Sequence, residues 1–562
     1  MGKRVYQLRR IIAVIAVSTI FCVGCGNKSA EMQPETNLQE EMSEEPQGTE
    51  GQEEDLTESI PESGVEADAE SAQTALDDEK EAEENLGLRL EMQSFPKPWG
   101  ELIEGNAPIV SITRDEREWS TQDGKYVLYK AYEDIVTVKN EGFENLQAAL
   151  AEHFSPIDEK EHETFLRYAQ EAYDDFDEEK ENYFINYYSW QRVELERSDS
   201  TVISFDESCS IHTGGVHPYG GCLGVTFDVK TGRKLELADI LKDEAGFYEA
   251  AVDYLTDWLV RNFGEKSFGQ EKRNYVARTF DEDRTVNWYL NGAGIVIIYN
   301  PEEIADHASG VIEITLPYGL FYEYIREEYT NPHTELIVRI PENEDIAGLL
   351  GETSRIAVEK EDVFGSEARI VTDKSSEVVG EFVFLRNIFA IKRQDGRSFI
   401  LVVGDYASDD NELFVYEVTG GNIRKCDALS GADLTGNRIS TDKVEVSLVL
   451  YELGTYTATM EYMLSEEGEL ICPEQIIPIE SDWSMTVIKE LPVTIDGTET
   501  VIGIGNQIII TGPNNKDTVY FKSVESGQQG EIHYEMDTEE PWIHLIGGVS
   551  EFEYFEAIPY AG

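Results

Sequence analysis

Two histidines in a glycine-rich loop are the side chains of this sequence best placed to do chemistry. His212 and His217 stand between Cys209 and Cys222, and His307 lies in a later loop. Three imidazoles can bind zinc where they converge, but spacing along a loop does not establish convergence. The alternative is that these histidines hydrogen-bond to the loop backbone or face a ligand. We favour that alternative and predict no metal site and no cofactor.

The two cysteines that bracket the loop allow two interpretations. Cys209 and Cys222 are symmetric about the tip, and a bridge between them would constrain the unfolded chain by about 3 kcal/mol. It would also hold the tip in one shape before a ligand arrives. The alternative is two reduced, buried thiols. We predict the bridge. Cys426 and Cys472 are a second possible pair, whose bonding the sequence leaves open.

The sequence contains no complete catalytic motif of the kinds considered below. The segment 279–283 (Thr-Phe-Asp-Glu-Asp) resembles the opening of a polysaccharide deacetylase site, but it lacks the glycine of that motif. None of the 8 histidines forms the His-x-x-x-His pair that the deacetylase metal needs. There is no Gly-x-Ser-x-Gly elbow, and no cysteine of the mature region has a recognisable nucleophile setting. We therefore predict that the protein is not an enzyme.

Strand-like segments on either side position the loop. Strand-like runs at 201–205 and 223–229 flank it, and its glycines supply backbone conformations closed to other residues, so it is predicted to be an elaborate β-hairpin tip. Apolar residues at three- and four-residue steps predict helices before and after it. Beyond residue 331, frequent turn signals predict β structure throughout, as a sandwich or partial propeller. The predicted fold class is α+β. The predicted helices are 144–154, 159–175 and 247–263, and further predicted strands are 108–113, 125–138, 183–196, 294–299, 310–316, 398–404 and 456–464.

Three matching segments carry a family resemblance. They are Thr213-Gly-Gly-Val-His217, Phe227-Asp-Val-Lys-Thr-Gly232 and Leu235 to Ile240, followed by a loop at 300–310 between two strands. Residues of about 108–328 thereby resemble the extracellular module of RsiV-type anti-sigma factors and the amino-terminal module of PdaC-type cell-wall deacetylases. The resemblance implies an α/β receptor module, which binds lysozyme in the RsiV type and accompanies a separate catalytic domain in the PdaC type. Candidate ligand contacts are Thr213, Gly214, Gly215, His217, Pro218 and Tyr219.

The amino-terminal segment has the features of an export signal. A basic start and an apolar run at 11–23 lead into Cys22-Val-Gly-Cys25, which resembles a bacterial lipobox with Cys22 where leucine is usual. We predict a lipid anchor on Cys25; an ordinary cleaved signal peptide or an uncleaved anchor is the alternative. Residues 31–86 hold 21 acidic residues, one lysine and no aromatic residue, so a disordered tether is predicted.

The acidic composition limits the partners. The net charge of -67 repels phosphate backbones and disfavours nucleic acid. It would attract a cationic partner; the alternative is that it serves solubility alone. The domains are predicted as a signal peptide at 1–24, the tether at 25–90, the α/β module at 91–330, a β-rich domain at 331–480 and a small barrel at 481–562 that weakly resembles a bacterial SH3 domain.

These observations lead to one leading functional hypothesis. It is a non-catalytic lipoprotein, anchored on the extracytoplasmic face of a bacterial membrane, that binds lysozyme or a cell-wall component such as peptidoglycan. The alternatives are a structural or adhesive surface protein and an accessory to peptidoglycan modification. An anti-sigma factor is disfavoured because only about ten residues precede the apolar segment.

Overall fold

The computed structural model describes residues 100–560, apart from gaps at 177–186, 216, 265–269, 282–283, 353, 362–364, 407–410, 480, 482, 515, 539 and 541. The predicted signal peptide, Cys25 and the predicted tether lie outside the described residues. Strands account for 47% of the structure and helices for 18%, which confirms the predicted α+β class.

Two helices cover one face of the first strands. Helix α1 (Glu144–His153) and helix α2 (Glu159–Asp175) turn their apolar positions inward. Asp158 starts α2 with a capping box, because its side chain accepts the backbone N–H of Glu161 while the Glu161 carboxylate accepts that of Asp158. The remaining helices are α3 (Leu237–Ile240), α4 (Glu244–Phe263), α5 (Gln270–Ala277), α6 (Tyr318–Phe321), α7 (Glu327–Thr330) and α8 (Ala347–Leu350).

The strands fall into an amino-terminal, a middle and a carboxy-terminal set. The first set is β1 (Val110–Ser120), β2 (Val127–Val138), β3 (Tyr187–Asp199), β4 (Val202–His212), β5 (Tyr219–Asp228), β6 (Trp288–Leu290), β7 (Gly294–Tyr299) and β8 (Ile312–Pro317). The second is β9 (Leu336–Arg339), β10 (Ile356–Lys360), β11 (Ser366–Thr372), β12 (Ser376–Phe382), β13 (Phe384–Lys392), β14 (Ser398–Asp405), β15 (Asn411–Thr419), β16 (Asn422–Ser430), β17 (Ala432–Ile439), β18 (Lys443–Leu450), β19 (Tyr456–Leu464) and β20 (Leu470–Ile471). The third is β21 (Ser484–Thr486), β22 (Leu491–Ile495), β23 (Thr498–Ile502), β24 (Gln507–Pro513), β25 (Thr518–Ser523), β26 (Gln529–His533), β27 (Glu535–Met536), β28 (His544–Ile546) and β29 (Val549–Ser550).

One large sheet joins the first two sets. Its order is β16-β15-β14-β13-β9-β3-β2-β1-β17-β18-β19-β20, and the β4–β5 hairpin branches from β3. Strand β9 pairs with β3 on one side and with β13 on the other. Strand β1 pairs with β17 through Val110 and Ile439. Strands from both sides of residue 331, where a domain boundary is predicted, therefore share one hydrogen-bonded sheet.

Smaller sheets complete the described structure. Strands β6, β7 and β8 form a three-stranded sheet that shares a core with α4, and β10, β11 and β12 form another. The carboxy-terminal set forms a six-stranded sheet in the order β21-β24-β25-β26-β22-β23 and a three-stranded sheet β27-β28-β29. The SH3-like resemblance of this last segment stays a prediction.

A fully buried ion pair fixes the turn between β3 and β4. Arg197 and Asp199 are both wholly buried, and the Arg197 guanidinium also donates to the Tyr318 hydroxyl at 2.6 Å. His333 lies beside them, with its Nδ1 2.8 Å from the Ser200 hydroxyl. Burial alone would raise the pKa of Asp199, but Arg197, His333 and two backbone N–H groups hold it below its usual value. This cluster joins β3 to the segment that leads into β9.

Candidate ligand-binding site

The glycine-rich loop is the tip of a long, regular hairpin, as predicted. Strands β4 and β5 pair without a break from Val202 with Asp228 to Ile211 with Tyr219. Gly214 has φ of +82°, and a Cβ there would lie 2.3 Å from the Tyr187 hydroxyl oxygen. Only glycine meets both conditions at once, so the tip is built around the Tyr187 ring.

The predicted bridge between the two cysteines is absent, since the structure has Cys209 and Cys222 as free thiols. The register gives the reason: Cys209 lies opposite Gly221, whereas Cys222 lies opposite Ser208. Neighbouring residues of a strand point to opposite faces, so the two thiols lie on opposite sides of the hairpin. Cys426 and Cys472 are free as well.

The predicted contact residues lie at the exposed end of the hairpin. Gly215, His217, Pro218 and Tyr219 are exposed, with Tyr219 at 59%, while Thr213 and Gly214 are half-buried. The later loop meets this tip, because the His217 and His307 rings have centroids 6.0 Å apart. The matched segments 209–222 and 300–310 are therefore adjacent in the fold.

His212 does not join the other two histidines. It is buried, and its ring stacks on Tyr188 with centroids 5.6 Å apart and an interplanar angle of 23°. His307 instead lies with its Nδ1 3.9 Å from Glu302. The three imidazoles considered as possible zinc ligands therefore lie in two places: His212 stacks on Tyr188, whereas His217 lies beside His307.

Two side-chain amides hold the backbone of β5 near the site. Asn300 accepts the backbone N–H of Cys222 at 2.7 Å, and its amide nitrogen donates to the Cys222 carbonyl at 3.2 Å. Asn287 accepts the backbone N–H of Gly224 at 2.8 Å and donates to the same Cys222 carbonyl at 2.8 Å. These bonds satisfy three backbone groups on the outer edge of β5, which no strand of the described residues pairs.

A strip of aromatic side chains lies on the sheet face opposite the helices. Tyr132 and Trp190 are register partners and stack with centroids 6.2 Å apart and an interplanar angle of 10°. Tyr188, two residues before Trp190, stacks on His212 on the same face. Arg114 lies 3.8 Å from the centroid of the Tyr132 ring. We call Tyr132, Tyr188 and Trp190 the aromatic strip; all three are half-buried.

Sequence reasoning missed this strip as a site. The run 183–196 was predicted as an aromatic-rich strand, but its alternation could have shown that Tyr188 and Trp190 share one face. The third ring comes from β2, more than 50 residues earlier, and is brought there by a parallel pairing. No local signal reveals that partner.

The same sheet face continues into a group of carboxylates around a single arginine. Arg339 on β9 has its Nη2 3.1 Å from Glu194 and its Nε 3.0 Å from Glu196. Burial raises the pKa of Glu196 well above its usual range, although the charge of Arg339 opposes the shift. Asp206 lies opposite Glu194 across the β3–β4 pair.

Three possible ligand groups meet beside that arginine. One ligand atom each from Asp206, Cys222 and Glu313 lie within 4.8 Å of one another. Burial and the nearby Glu313 and Glu194 raise the pKa of Asp206 to about 8. Burial also raises the pKa of the Cys222 thiol and of the Glu313 carboxyl group, although Glu313 as a residue is exposed. We call these three residues the Asp-Cys-Glu cluster.

One known protein family matches a segment that includes part of this site. Residues 238–319 match the family described as "Protein of unknown function (DUF3298)". The matched stretch contributes Glu313, Asn287, Asn300 and His307 to the arrangement described above, whereas the hairpin lies before it. This type of domain is found in RsiV- and PdaC-like proteins.

Two solved structures of that family are similar to part of the chain. A DUF3298 family member from Bacteroides fragilis NCTC 9343 has 18% identity and a TM-score of 0.30, covering 40% of this chain and 96% of its own. A DUF3298 family protein from Pseudomonas aeruginosa PAO1 has 17% identity and a TM-score of 0.29, covering 39% of this chain and 94% of its own. No curated protein matches.

Among the described residues, no helix combines the length and the apolar character needed to cross a bilayer.

Proposed function

We propose that this chain is a non-catalytic lipoprotein, anchored through Cys25 on the extracytoplasmic face of a bacterial membrane, that binds the glycan of the cell wall. The aromatic strip carries the proposal. Sugar rings stack their C–H faces on Tyr and Trp side chains, which offer large apolar faces with polar edges. A sheet face that presents Tyr132, Tyr188 and Trp190 on neighbouring strands suits an extended chain of sugars.

Polar groups around the strip suit the same ligand. Arg114 and Arg192 are exposed beside Tyr132 and Trp190, and Ser210 lies opposite Trp190 on β4. Hydroxyl and guanidinium groups beside stacking rings supply hydrogen bonds to sugar hydroxyls and to the carboxylates of peptidoglycan. The predicted tip contacts adjoin the Tyr188 end of the strip, because Tyr188 is the register partner of His212.

Sedimentation with purified peptidoglycan tests the glycan proposal. We expect the protein to co-sediment, and Trp190→Ala to reduce binding at least about tenfold, as loss of a stacking aromatic at the centre of a contact does. Trp542→Ala is the matched control, since Trp542 is 68% exposed in the turn between β27 and β28, outside the strip. Equal loss in both variants, or full binding by Trp190→Ala, would contradict the proposal.

Lysozyme is a second candidate partner, supported by charge and by the exposed tip. A net charge of -67 steers a small cationic protein toward the surface, and Tyr219 and His217 are exposed at the tip. The RsiV-type resemblance adds to this support. A pull-down at low and moderate salt should retain lysozyme, and Tyr219→Ala should weaken retention. Absence of retention at both salt concentrations would rule lysozyme out.

The proposed lipid anchor and the proposed absence of catalysis are tested by separate experiments. Labelled palmitate should enter the wild-type protein and not the Cys25→Ser variant, and only the wild type should stay with membranes. Incubation with peptidoglycan should release neither acetate nor soluble fragments. Release would favour a role in wall modification, and absence of both binding activities would favour a structural or adhesive role.

A further inference from the structure

We propose that Asp206, Cys222 and Glu313 bind a divalent transition metal, with zinc the best fit. The three residues come from β4, β5 and β8, and thus from two separate sheets. Their ligand atoms lie within 4.8 Å of one another. Ligands around a zinc ion sit about 2.0–2.3 Å from the metal, so a small inward movement of these side chains would complete three corners of a tetrahedron. A water molecule would take the fourth.

The type of ligand selects the type of metal. A thiolate favours zinc and other borderline or soft ions, whereas calcium and magnesium prefer a shell made only of oxygen. Cys222 is a free thiol in the described structure. Asp206 and Glu313 add the carboxylate oxygens that zinc also accepts.

A buried, unpaired oxygen points to a missing ligand. Asp206 Oδ1 is shielded from solvent and has no hydrogen-bond partner among the described residues. Leaving such an atom without a partner is energetically unfavourable, which makes this arrangement uncommon in proteins. The charge of Arg339 acts on Asp206, but the guanidinium makes its ion pairs with Glu194 and Glu196. A bound metal would satisfy this oxygen.

The surroundings hold the ligands as metal sites require. The backbone of Cys222 is fixed on both sides by Asn287 and Asn300. The Tyr289 side chain hydrogen-bonds to Glu313. Such outer contacts orient ligands and maintain metal affinity. The site is distinct from the aromatic strip, and the inference does not depend on the proposed function.

Equilibrium dialysis of the purified full chain against zinc, followed by metal analysis, tests the proposal. We expect one zinc per chain, and cobalt in its place should give a thiolate-to-cobalt charge-transfer absorption. Cys222→Ser and Glu313→Gln should each weaken zinc binding at least about tenfold. Cys209→Ser is the matched control, because Cys209 lies on the opposite face of the same hairpin and should leave affinity unchanged.

Several results of these measurements would count against the proposal. Less than one zinc per chain, unchanged affinity in Cys222→Ser, or equal loss in Cys209→Ser would overturn the proposal. Calcium binding with the same affinity as zinc would overturn the role of the thiolate. Glu313→Gln decides the matter if the cysteine variant unfolds, since Glu313 is exposed and its substitution should leave the thermal transition in place.

Discussion

Gly214 shows how a single position shapes the hairpin tip. Its φ of +82° and the 2.3 Å approach to Tyr187 both oppose a side chain. We expect Gly214→Ala to lower the free energy of unfolding by about 1–3 kcal/mol, measured by urea denaturation. Gly215→Ala is the control: its φ of +107° imposes backbone strain, but no atom lies within 4 Å of its Cβ position. An equal effect in both variants would show that the contact with Tyr187 is unimportant.

We expect two carboxyl groups with raised pKa values to make the stability of the protein depend on pH. Burial raises the pKa of Asp206 and of Glu133 to about 8 in the folded state. Unfolding then releases protons between about pH 4 and pH 8, so the free energy of unfolding falls as the pH rises through that range. Asp199, whose pKa is lowered, contributes in the opposite direction only in more acidic solution.

This response can be measured by thermal unfolding in metal-free buffer. We expect a higher melting temperature at about pH 5.5 than at about pH 8, and a smaller difference in Asp206→Asn and in Glu133→Gln. Glu302→Gln, at an exposed position, serves as control. A difference that is unchanged in both buried variants would contradict the assignment to these groups.

Arg197 is the largest fully buried side chain among the described residues, and it carries a charge. It is wholly enclosed and pairs with an equally enclosed Asp199. We expect Arg197→Met to cost about 3–5 kcal/mol of stability, because it leaves a buried carboxylate without its cation. Arg273→Met removes a partly exposed pair with Asp253 and should cost about 0–1 kcal/mol. Urea denaturation of both variants makes the comparison, and similar costs would refute it.

At the scale of elements, local patterns predicted much of the structure. Helix 159–175 and strands 294–299 and 456–464 have the bounds that periodicity indicated. The hairpin was also predicted, but its cysteines were not placed correctly. Symmetry about the tip suggested that Cys209 faces Cys222, whereas a shift of one residue in register puts them on opposite faces. Only the pairing itself fixes that register.

Local sequence patterns could not predict which residues come together in the candidate sites. In the Asp-Cys-Glu cluster, Asp206 and Glu313 are more than 100 positions apart, and the arginine beside the cluster comes from β9. Each of these residues alone looks like an ordinary member of a strand. Their convergence depends on how the β6–β7–β8 sheet packs on β5, where a Cβ on Gly224 would lie 2.1 Å from the Trp288 carbonyl oxygen. Long-range packing of this kind leaves no periodic signal.

At the scale of the whole molecule, the large sheet pairs strands from both sides of residue 331, where the sequence predicts a domain boundary. A chain that ends at residue 330 would lose β9, leave part of β3 unpaired and remove Arg339 from Glu194 and Glu196. We expect residues 97–330 alone to lack a cooperative thermal transition, whereas residues 97–562 should show one. Calorimetry of both fragments provides the measurement. A sharp transition in the shorter one would support the predicted boundary.

The entry of the chain into the fold has a mechanical consequence. The Ile103 N–H donates to the Pro332 carbonyl at 2.9 Å, and Gly105 and Thr334 exchange hydrogen bonds through the Thr334 side chain. Tension applied at the amino-terminal end must therefore break these contacts before it reaches β1. We therefore expect the segment 103–107 to detach before the sheet bears the load. Single-molecule pulling from residue 100 should show this as a small early rupture before the main unfolding event.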